Sequence, residues 1–305
     1  MTTTPLPPAT TSAAPGTDTA TESEQRTRSD RRRLFTPRAL LLNGALLVGL
    51  VASLGPLVWM VLSSVKPESE IRQFPPTLIP QDVTLENYTQ LFDRLNFPQF
   101  FFNSVVVALA VTVGAVLFSA MVGYALAKID FPGRRALFLL IMATLMVPGT
   151  ITFVPLFVLV ANLDLVNTYA ALILPFLAAP FGVFLMRQFM LDIPDELLDA
   201  ARVDGAGEFR TFFRIVLPQT GPALATLGIL TFLGSWNNFL WPLVAVQSAD
   251  MYTLPVALAL YSTGQNTVQY GLLLAGATVI VTPILVVFLV LQRRIIQGIA
   301  TTGIK

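Results

Sequence analysis

Six long stretches without a charged residue constrain this chain more than any other feature. Each has at least 19 residues, and a helix of about 20 residues crosses the ~30 Å hydrocarbon core of a bilayer. Barrel strands would be about 10 residues long with alternating polarity, and these stretches do not alternate. Because every backbone group must be paired within lipid, the sequence predicts an all-α membrane protein with six transmembrane helices. The stretches are residues 39–62, 99–127, 136–160, 168–186, 223–246 and 268–291.

Composition excludes several classes of function. Only 12% of the residues are charged, against roughly 25% in a soluble domain, which agrees with a bilayer protein. The net charge of +1 provides no overall field to attract nucleic acid. With no Cys and no His, the chain has no means to form disulfides, thiolate zinc sites or imidazole bases.

The first 38 residues are rich in Thr, Ser, Pro, Ala and charge, which predicts a disordered tail. Its basic end precedes an apolar run, as in a secretory signal, but 24 apolar residues without an A-x-A site predict a retained span. If the N-terminus is inside, 16 of the 19 Lys and Arg residues fall on the inner side, and only Lys66, Arg72 and Arg94 lie outside. Since basic residues concentrate in cytoplasmic segments, both termini are predicted to be cytoplasmic.

Two predicted external segments have recognisable features of their own. Residues 63–98 are rich in Pro and include the sequence ENYTQLF, which predicts a short surface helix. Residues 247–267 contain LPVALALY, an apolar run that is too short to span a bilayer. We expect this second segment to form a re-entrant or partner-facing turn.

The six apolar stretches contain no Asp, Glu, Lys, Arg or His. Proton-coupled carriers need ionisable groups within the membrane, so this absence argues against an ion-driven carrier, although sodium sites built from carbonyls stay an alternative. The fifth stretch contains Trp236, Asn237 and Asn238. Two interpretations are open for these residues: they line a pathway for a sugar, or they make hydrogen bonds between helices.

A polar stretch, Pro194–Pro218, lies between the fourth and fifth apolar stretches and predicts a helix–turn–helix. Pro194 suits the first turn of a helix and Gly205 suits a tight turn, while Pro218 is predicted to end the second helix. Residues 188–218 contain six acids and three bases, which suits a basic groove on a soluble partner. The alternative is an amphipathic helix pair lying on the membrane, where surface helices prefer a basic polar face.

The sequence DAARVDGAGEFRTFFRIVLP resembles the coupling motif of binding-protein-dependent ABC importer permeases. Asp199 stands where that family usually has Glu, followed by two Ala residues, Gly205 and the closing Ile-Val-Leu-Pro. The resemblance implies that this turn docks on an ATPase subunit. The docking residues it implies are Asp199, Ala200, Ala201, Asp204, Gly205 and Ala206.

The segments KPESEI, FFNSVVVALA, GYALAKIDFPGRR, SWNNFLWPL and QRRIIQGIATTGIK extend the resemblance to the carbohydrate-type permeases over roughly residues 40–305. It implies a type I ABC importer permease fold in a prokaryotic plasma membrane. The implied partners are a second permease, two ATPases, an external solute-binding protein and membrane lipid, with no nucleic acid. The implied domains are a cytoplasmic tail (1–38), a first helix with its external loop (39–98), a core with a coupling loop at 188–222 (99–293), and a C-terminal cytoplasmic tail (294–305).

The sequence contains no G-x-x-x-x-G-K-[ST] phosphate loop. ATP and Mg²⁺ are therefore expected on the partner ATPases, with no cofactor, metal or catalytic residue on this chain. The predicted function is that of a permease subunit, not an enzyme, in an importer for a sugar, oligosaccharide or related polyol. The alternatives are the same machinery for a glycerol-phosphodiester or amino sugar, an ion-coupled secondary transporter, and a scaffold-only membrane protein.

Overall fold

A computed structural model describes residues 37–94, 96–262 and 268–301, and the regular elements within these ranges are helical. The predicted tail therefore lies almost entirely outside the described residues. The α-helices are α1 Pro37–Ser64, α2 Glu68–Ile71, α3 Glu86–Arg94, α4 Phe97–Lys128, α5 Arg134–Leu145, α6 Gly149–Asn162, α7 Tyr169–Ile173, α8 Pro180–Leu191, α9 Asp195–Val203, α10 Glu208–Thr211, α11 Leu217–Gln219, α12 Gly221–Trp236, α13 Leu240–Ala245, α14 Leu254–Ser262 and α15 Tyr270–Thr301.

The chain divides into two units at the end of the first apolar stretch, residues 1–59 and 60–305. The described part of the first unit is helical and belongs to α1, whose interior includes Pro56. The second unit contains the last turn of α1 and all other helices. Two uninterrupted helices, Leu41–Ser64 and Phe97–Lys128, are each long and apolar enough to cross a membrane. These two match the first and second predicted spans.

Helix α4 lies at the centre of the second unit and packs against both α8 and α12. The close approach of α8 depends on Gly123, because a Cβ at that position would lie 2.9 Å from the backbone nitrogen of Arg187. Ala108, Ala115 and Ala120 are fully buried along the same helix. Small side chains therefore bring the helices of this core into close contact.

Prolines break the third and fourth predicted spans, which are not single straight helices. The window 136–160 is divided between α5 and α6, which meet at 102° next to Pro148. The window 168–186 contains α7, a short 3₁₀ turn and the start of α8, with a bend of 44°. Proline has no N–H to donate and it clashes with the preceding helical turn, so the regular helix ends there.

The fifth and sixth windows also differ from the structure in their bounds. Helix α12 ends at Trp236, and α13 starts at Leu240 within the window 223–246. The last helix begins at Tyr270 and continues past the predicted end of the window 268–291. Three bent helix pairs are long and apolar enough to cross a membrane if each pair is counted as one span. By length and composition, the described residues therefore hold up to five candidate spans.

The two segments predicted to be external are both partly helical. The surface helix expected from ENYTQLF is present as α3 and is strongly amphipathic. The run LPVALALY forms helix α14, which packs against α4 and α15, so the expectation of a turn there is wrong. Its Val256 and Ala257 are fully buried, and this burial explains why the apolar run is ordered as a helix.

Candidate functional site: the polar helix pair

The polar helix pair, residues 194–219, connects α8 to α12. Helix α9 begins at Asp195, one residue after the predicted start, with Pro194 as its N-cap. Two acids occupy its first turn, where they interact favourably with the helix dipole. Gly205 has φ +77°, a left-handed conformation that favours glycine and turns the chain after α9.

The second half of the pair changes its helical pitch twice before α12. Helix α10 continues into a π-turn at Phe212–Val216 and then into α11, which ends at Gln219. The prediction that Pro218 ends this helix is therefore wrong by one residue. Pro218 is the second residue of α11, one residue before this helix ends.

One face of the pair is buried against the core. Leu198, Phe212 and Val216 pack in a cluster that includes Tyr124 and Ala120 of α4. Burial of such side chains stabilises a contact by about 1.5–3 kcal/mol each. The pair is therefore held on the end of α4 by apolar packing as well as by polar contacts.

The opposite face exposes large apolar side chains. Val203 is 87% exposed and Phe209 is 77% exposed, on either side of the Gly205 turn. Val203 comes five residues after Leu198, which places it well off the buried stripe of a helix with 3.6 residues per turn. That offset was the sequence signal for its exposure.

One ion pair connects the two helices of the pair, and a second lies within α9. Arg202 Nη1 lies 3.1 Å from Asp199 Oδ1, and Arg202 Nη2 lies 3.2 Å from Glu208 Oε1. The hydrogen bond and charge of Glu208 raise the pKa of Arg202 above its ordinary value, with a smaller contribution from Asp199. The acid at the motif position thus pairs within its own chain.

Two further polar contacts attach the pair to α4. The Tyr124 hydroxyl donates a hydrogen bond to Glu208 Oε2 at 2.6 Å. Lys128 Nζ donates to Asp195 Oδ1 and to the Ile193 carbonyl, both at 2.6 Å. The hydrogen bond and charge of Lys128 lower the pKa of Asp195 below its ordinary value. These partners lie 84 and 67 residues apart in sequence, which is why the sequence alone did not reveal them.

The structure brings the six predicted docking residues together around the Gly205 turn. Asp199, Ala200, Asp204 and Gly205 are exposed, and Ala206 is half-buried. Ala201 is different, because its side chain is only 6% exposed and faces the core. No group of three or more acidic side chains in the described ranges is arranged to hold a metal ion.

The second predicted site lies where α12 ends. Trp236 is only 2% exposed, and its Nε1 donates to the Ile280 carbonyl of α15 at 3.1 Å. Asn237 is exposed and its Nδ2 donates to the Leu233 carbonyl, while Asn238 Oδ1 accepts from the backbone N–H of Trp241 in the first turn of α13. The three residues are adjacent in the structure, but the tryptophan serves helix packing and the two amides serve helix ends.

Comparisons with known proteins agree on one family. The family described as "binding-protein-dependent transport system inner membrane component" matches residues 115–301. The arabinooligosaccharides transport system permease protein AraQ of Halalkalibacterium halodurans is 46% identical, over 82% of this chain and 90% of the relative. The diacetylchitobiose uptake system permease protein NgcG of Streptomyces coelicolor is 36% identical over 89% of each chain. The sn-glycerol-3-phosphate permease UgpE of Yersinia pestis is 35% identical, over 83% of this chain and 93% of the relative.

The fold is also that of a solved transporter. A chain of a bacterial ABC transporter that imports the acidic polysaccharide alginate superposes with a TM-score of 0.76. It covers 84% of this chain and 96% of the solved chain at 22% identity, so the likeness concerns the fold alone. The resemblance drawn from the coupling motif and the prediction of a multi-pass membrane protein are confirmed. This chain belongs to the binding-protein-dependent transport system inner membrane components, the plasma-membrane permease subunits of ABC importers, and is not an enzyme.

Proposed function

We propose that the importer to which this permease belongs carries an oligosaccharide. The observation that carries this proposal is the 46% identity to an arabinooligosaccharide permease over most of both chains. A diacetylchitobiose permease, also named for a neutral sugar, supports it. The six apolar stretches contain no Lys or Arg that could pair with a phosphate, which favours a neutral cargo over the glycerol phosphate of the 35% identical relative.

In the proposed topology the chain crosses the membrane six times with both termini in the cytoplasm. The charge distribution supports it, since 16 of the 19 basic residues then lie inside. The proposed domains are the tail 1–38, the first helix with its loop 39–98, the core 99–293 with the coupling loop 188–222, and the tail 294–305. This orientation places the polar helix pair in the cytoplasm.

The proposed assembly contains a second homologous permease, two ATPases and an external solute-binding protein. The family description supports the binding protein, because it names a binding-protein-dependent system. ATP and Mg²⁺ would be held by the ATPases, since this chain has no phosphate loop. The chain's own part is to move between inward-open and outward-open states when the ATPases close, which is a coupling of two sites through a bistable element.

The proposed ATPase contact is the exposed turn between α9 and α10. Asp199, Ala200, Asp204, Gly205 and Ala206 form its surface, as the coupling motif implies. We add the apolar side chains of Val203 and Phe209, because burial of such exposed groups would stabilise a docked partner. Ala201 supports this surface from inside instead of touching the ATPase.

The proposed cargo contact in this chain is the amide of Asn237. It is exposed where α12 ends, whereas Trp236 is enclosed by its own helices. An amide can hydrogen-bond sugar hydroxyls as both donor and acceptor. Asn238 would shape the same turn, because its carbonyl accepts from the start of α13.

The docking proposal is tested by Gly205→Asp, which should abolish ATP-driven uptake while the permease still reaches the membrane. The matched control is Gly133→Asp. Gly133 also has a positive φ (+84°, against +77° for Gly205), and an added Cβ would meet no atom within 4 Å at either position. Equal uptake by the two variants would remove the docking proposal, because backbone strain is the same in both.

The cargo proposal is tested in the importer reconstituted with its binding protein. Uptake of labelled arabinotriose should be reduced by unlabelled arabinotriose and unaffected by an excess of sn-glycerol-3-phosphate. Uptake of labelled sn-glycerol-3-phosphate without uptake of either arabinotriose or diacetylchitobiose would overturn the oligosaccharide proposal and favour the phosphate alternative.

A further inference from the structure

Helix α4 is attached to a polar element at each of its ends. At one end it holds the polar helix pair through Tyr124 and Lys128. At the other end it holds the chain that precedes α14, through Asn103 and Ser104. No proline occurs in α4 after Pro98, whereas the third and fourth spans are bent at prolines.

The Asn103 side chain is fully buried, and all of its hydrogen-bonding positions are occupied. Asn103 is 0% exposed, and its Nδ2 donates to the carbonyls of Asp250 and Tyr252 at 2.7 and 2.9 Å. Its Oδ1 accepts hydrogen bonds from the hydroxyl of Tyr169 and from the side chain of Gln99. All four hydrogen-bonding positions of this amide are therefore occupied.

Ser104 adds a contact one residue along the helix. Its Oγ accepts a hydrogen bond from the backbone N–H of Leu254, the first residue of α14, at 2.7 Å. Together the two side chains fix three backbone groups between residues 250 and 254. This segment belongs to residues 247–267, which the proposed topology places outside the membrane.

At the Tyr124 end, the side chains that α4 contributes are buried, whereas their partners in the polar helix pair are exposed. Tyr124 is 4% exposed, and the side chain of Lys128 is 5% exposed. Their partners Glu208 and Asp195 belong to different helices of the polar pair, so α4 contacts both halves of that pair. The ring of Phe212 adds an apolar contact with Tyr124, at 5.3 Å between centroids.

We propose that α4 is a single rigid link between the segment 250–254 and the polar helix pair, with Asn103 and Tyr124 as positioning residues at its two ends. At 1.5 Å per residue these two residues lie about 32 Å apart along the helix. A displacement of the segment by a docked binding protein would thus reach the ATPase contact through one helix. The proposal rests on the proposed function, which assigns the two ends to those partners.

The test measures ATPase activity of the assembled importer in nanodiscs, with and without its binding protein. The binding protein is saturated with whichever of arabinotriose, diacetylchitobiose and sn-glycerol-3-phosphate stimulates the wild-type complex most. Tyr124→Phe removes only the hydroxyl, and Asn103→Ala removes the amide. Tyr124→Phe should reduce the ratio of stimulated to basal activity by about fivefold, as the loss of one net hydrogen bond would. Asn103→Ala removes four hydrogen bonds and should reduce the ratio by at least as much.

The matched control is Thr112→Val on the same helix. The Thr112 hydroxyl donates only to the Ala108 carbonyl of α4 itself, so its removal should leave the ratio unchanged. Complexes are compared at equal amounts of assembled transporter, and their melting temperatures are recorded. If Asn103→Ala fails to assemble, Ser104→Ala takes its place, because it removes the single contact to Leu254.

If both ends act through the same helix, the double variant provides a further test of the proposal. Asn103→Ala with Tyr124→Phe should lose no more stimulation than the stronger single change, because the link is already broken. The proposal would be overturned if either single variant were stimulated as strongly as Thr112→Val. It would also be overturned if the losses of the two single changes multiplied in the double variant. Stimulated activity in Gly205→Asp would instead remove the docking proposal, so the two failures are distinguishable.

Discussion

The loop between α1 and α4 (residues 65–96) and the polar helix pair are both rich in charged residues, and they place those residues in different surroundings. In the loop, Lys66 and Glu70 are 2% and 7% exposed. In the helix pair, the side chains of Asp199 and Arg202 are 68% and 46% exposed. A basic and an acidic side chain are thus buried together in the loop, whereas an ion pair of the helix pair is exposed.

The buried charges of the loop are used to fix its own fold. Lys66 Nζ donates to the carbonyl and the hydroxyl of Thr77 at 2.5 and 3.0 Å, and it lies 3.7 Å from Glu70 Oε1. Glu70 accepts from the Thr77 hydroxyl and from the backbone N–H groups of Gln81 and Asp82. A buried charge that is paired and hydrogen-bonded in this way holds one arrangement.

The charges of the helix pair are left available to solvent and to a partner. Their mutual ion pairs are exposed, and such pairs contribute little to stability. The difference shows how each polar element of this membrane chain is built. Buried charges fix the fold of the loop, whereas the helix pair is held on α4 by apolar packing and by the contacts of Tyr124 and Lys128. The helix pair can therefore change its exposed ion pairs without unfolding.

The largest expected effect comes from making the same type of change in both elements. Lys66→Met leaves the Glu70 carboxylate without its cation, so it should lower the melting temperature of the purified permease by about 5 °C or more. Arg202→Met breaks only exposed pairs and should lower it by less than about 2 °C. Thermal unfolding in detergent measures both, and an equal fall in the two variants would remove the contrast.

A second prediction concerns the exposed apolar side chains. Phe209→Ser should weaken association with the ATPase by about tenfold or more, because one large apolar group is no longer buried in the complex. The control is Ile79→Ser in the loop, where the side chain is similarly exposed at 76%. Binding of purified ATPase to nanodiscs gives both affinities, and an unchanged affinity for the Phe209 variant would exclude this residue from the contact.

The smallest expected effect is on the pH dependence of stability. The hydrogen bond from Thr77 is the main cause that lowers the pKa of Glu70, with help from Gln81, Asp82 and Lys66, while burial opposes the shift. A lowered pKa means that the stabilisation is present above the ordinary pKa of 4.5 and is lost as the pH falls through the lower folded-state value.

The melting temperature should therefore fall more between pH 5 and pH 3 in the wild type than in Glu70→Gln, because the variant has no carboxyl to protonate. The matched change in the helix pair is Asp195→Asn, since the pKa of Asp195 is lowered mainly by its hydrogen bond with Lys128. Asp195 is the more exposed of the two acids, with 78% of its side chain accessible, so its effect should be the smaller. A larger effect at Asp195 would contradict the division between the two elements.

The sequence predicts the helical class and the first two spans well, because α1 and α4 are long apolar runs with no break of their own. It also locates the turn of the helix pair, since Gly205 is needed for its backbone conformation. The later spans are predicted with wrong internal geometry. A proline such as Pro148 signals a break, but the 102° angle depends on how the neighbouring helices pack.

The candidate site was only half predictable for a related reason. The motif predicts which residues form the turn, and helical spacing predicts that each helix has an apolar face. Which apolar residues are buried depends on α4, whose Tyr124 and Lys128 lie far away in sequence. Phe209 is exposed while Phe212 is buried, and the π-turn at Phe212–Val216 shifts the spacing of the residues that follow it.

Photo-crosslinking tests the central claim, that the polar helix pair is the surface presented to the ATPase. A benzophenone analogue of phenylalanine replaces either Phe209, which is 77% exposed, or Phe74 in the loop, which is 92% exposed. Both changes keep an aromatic side chain at its native position. Illumination of the assembled importer should join the permease to the ATPase from position 209 and not from position 74. An ATPase adduct from position 74, or none from position 209, would contradict the claim.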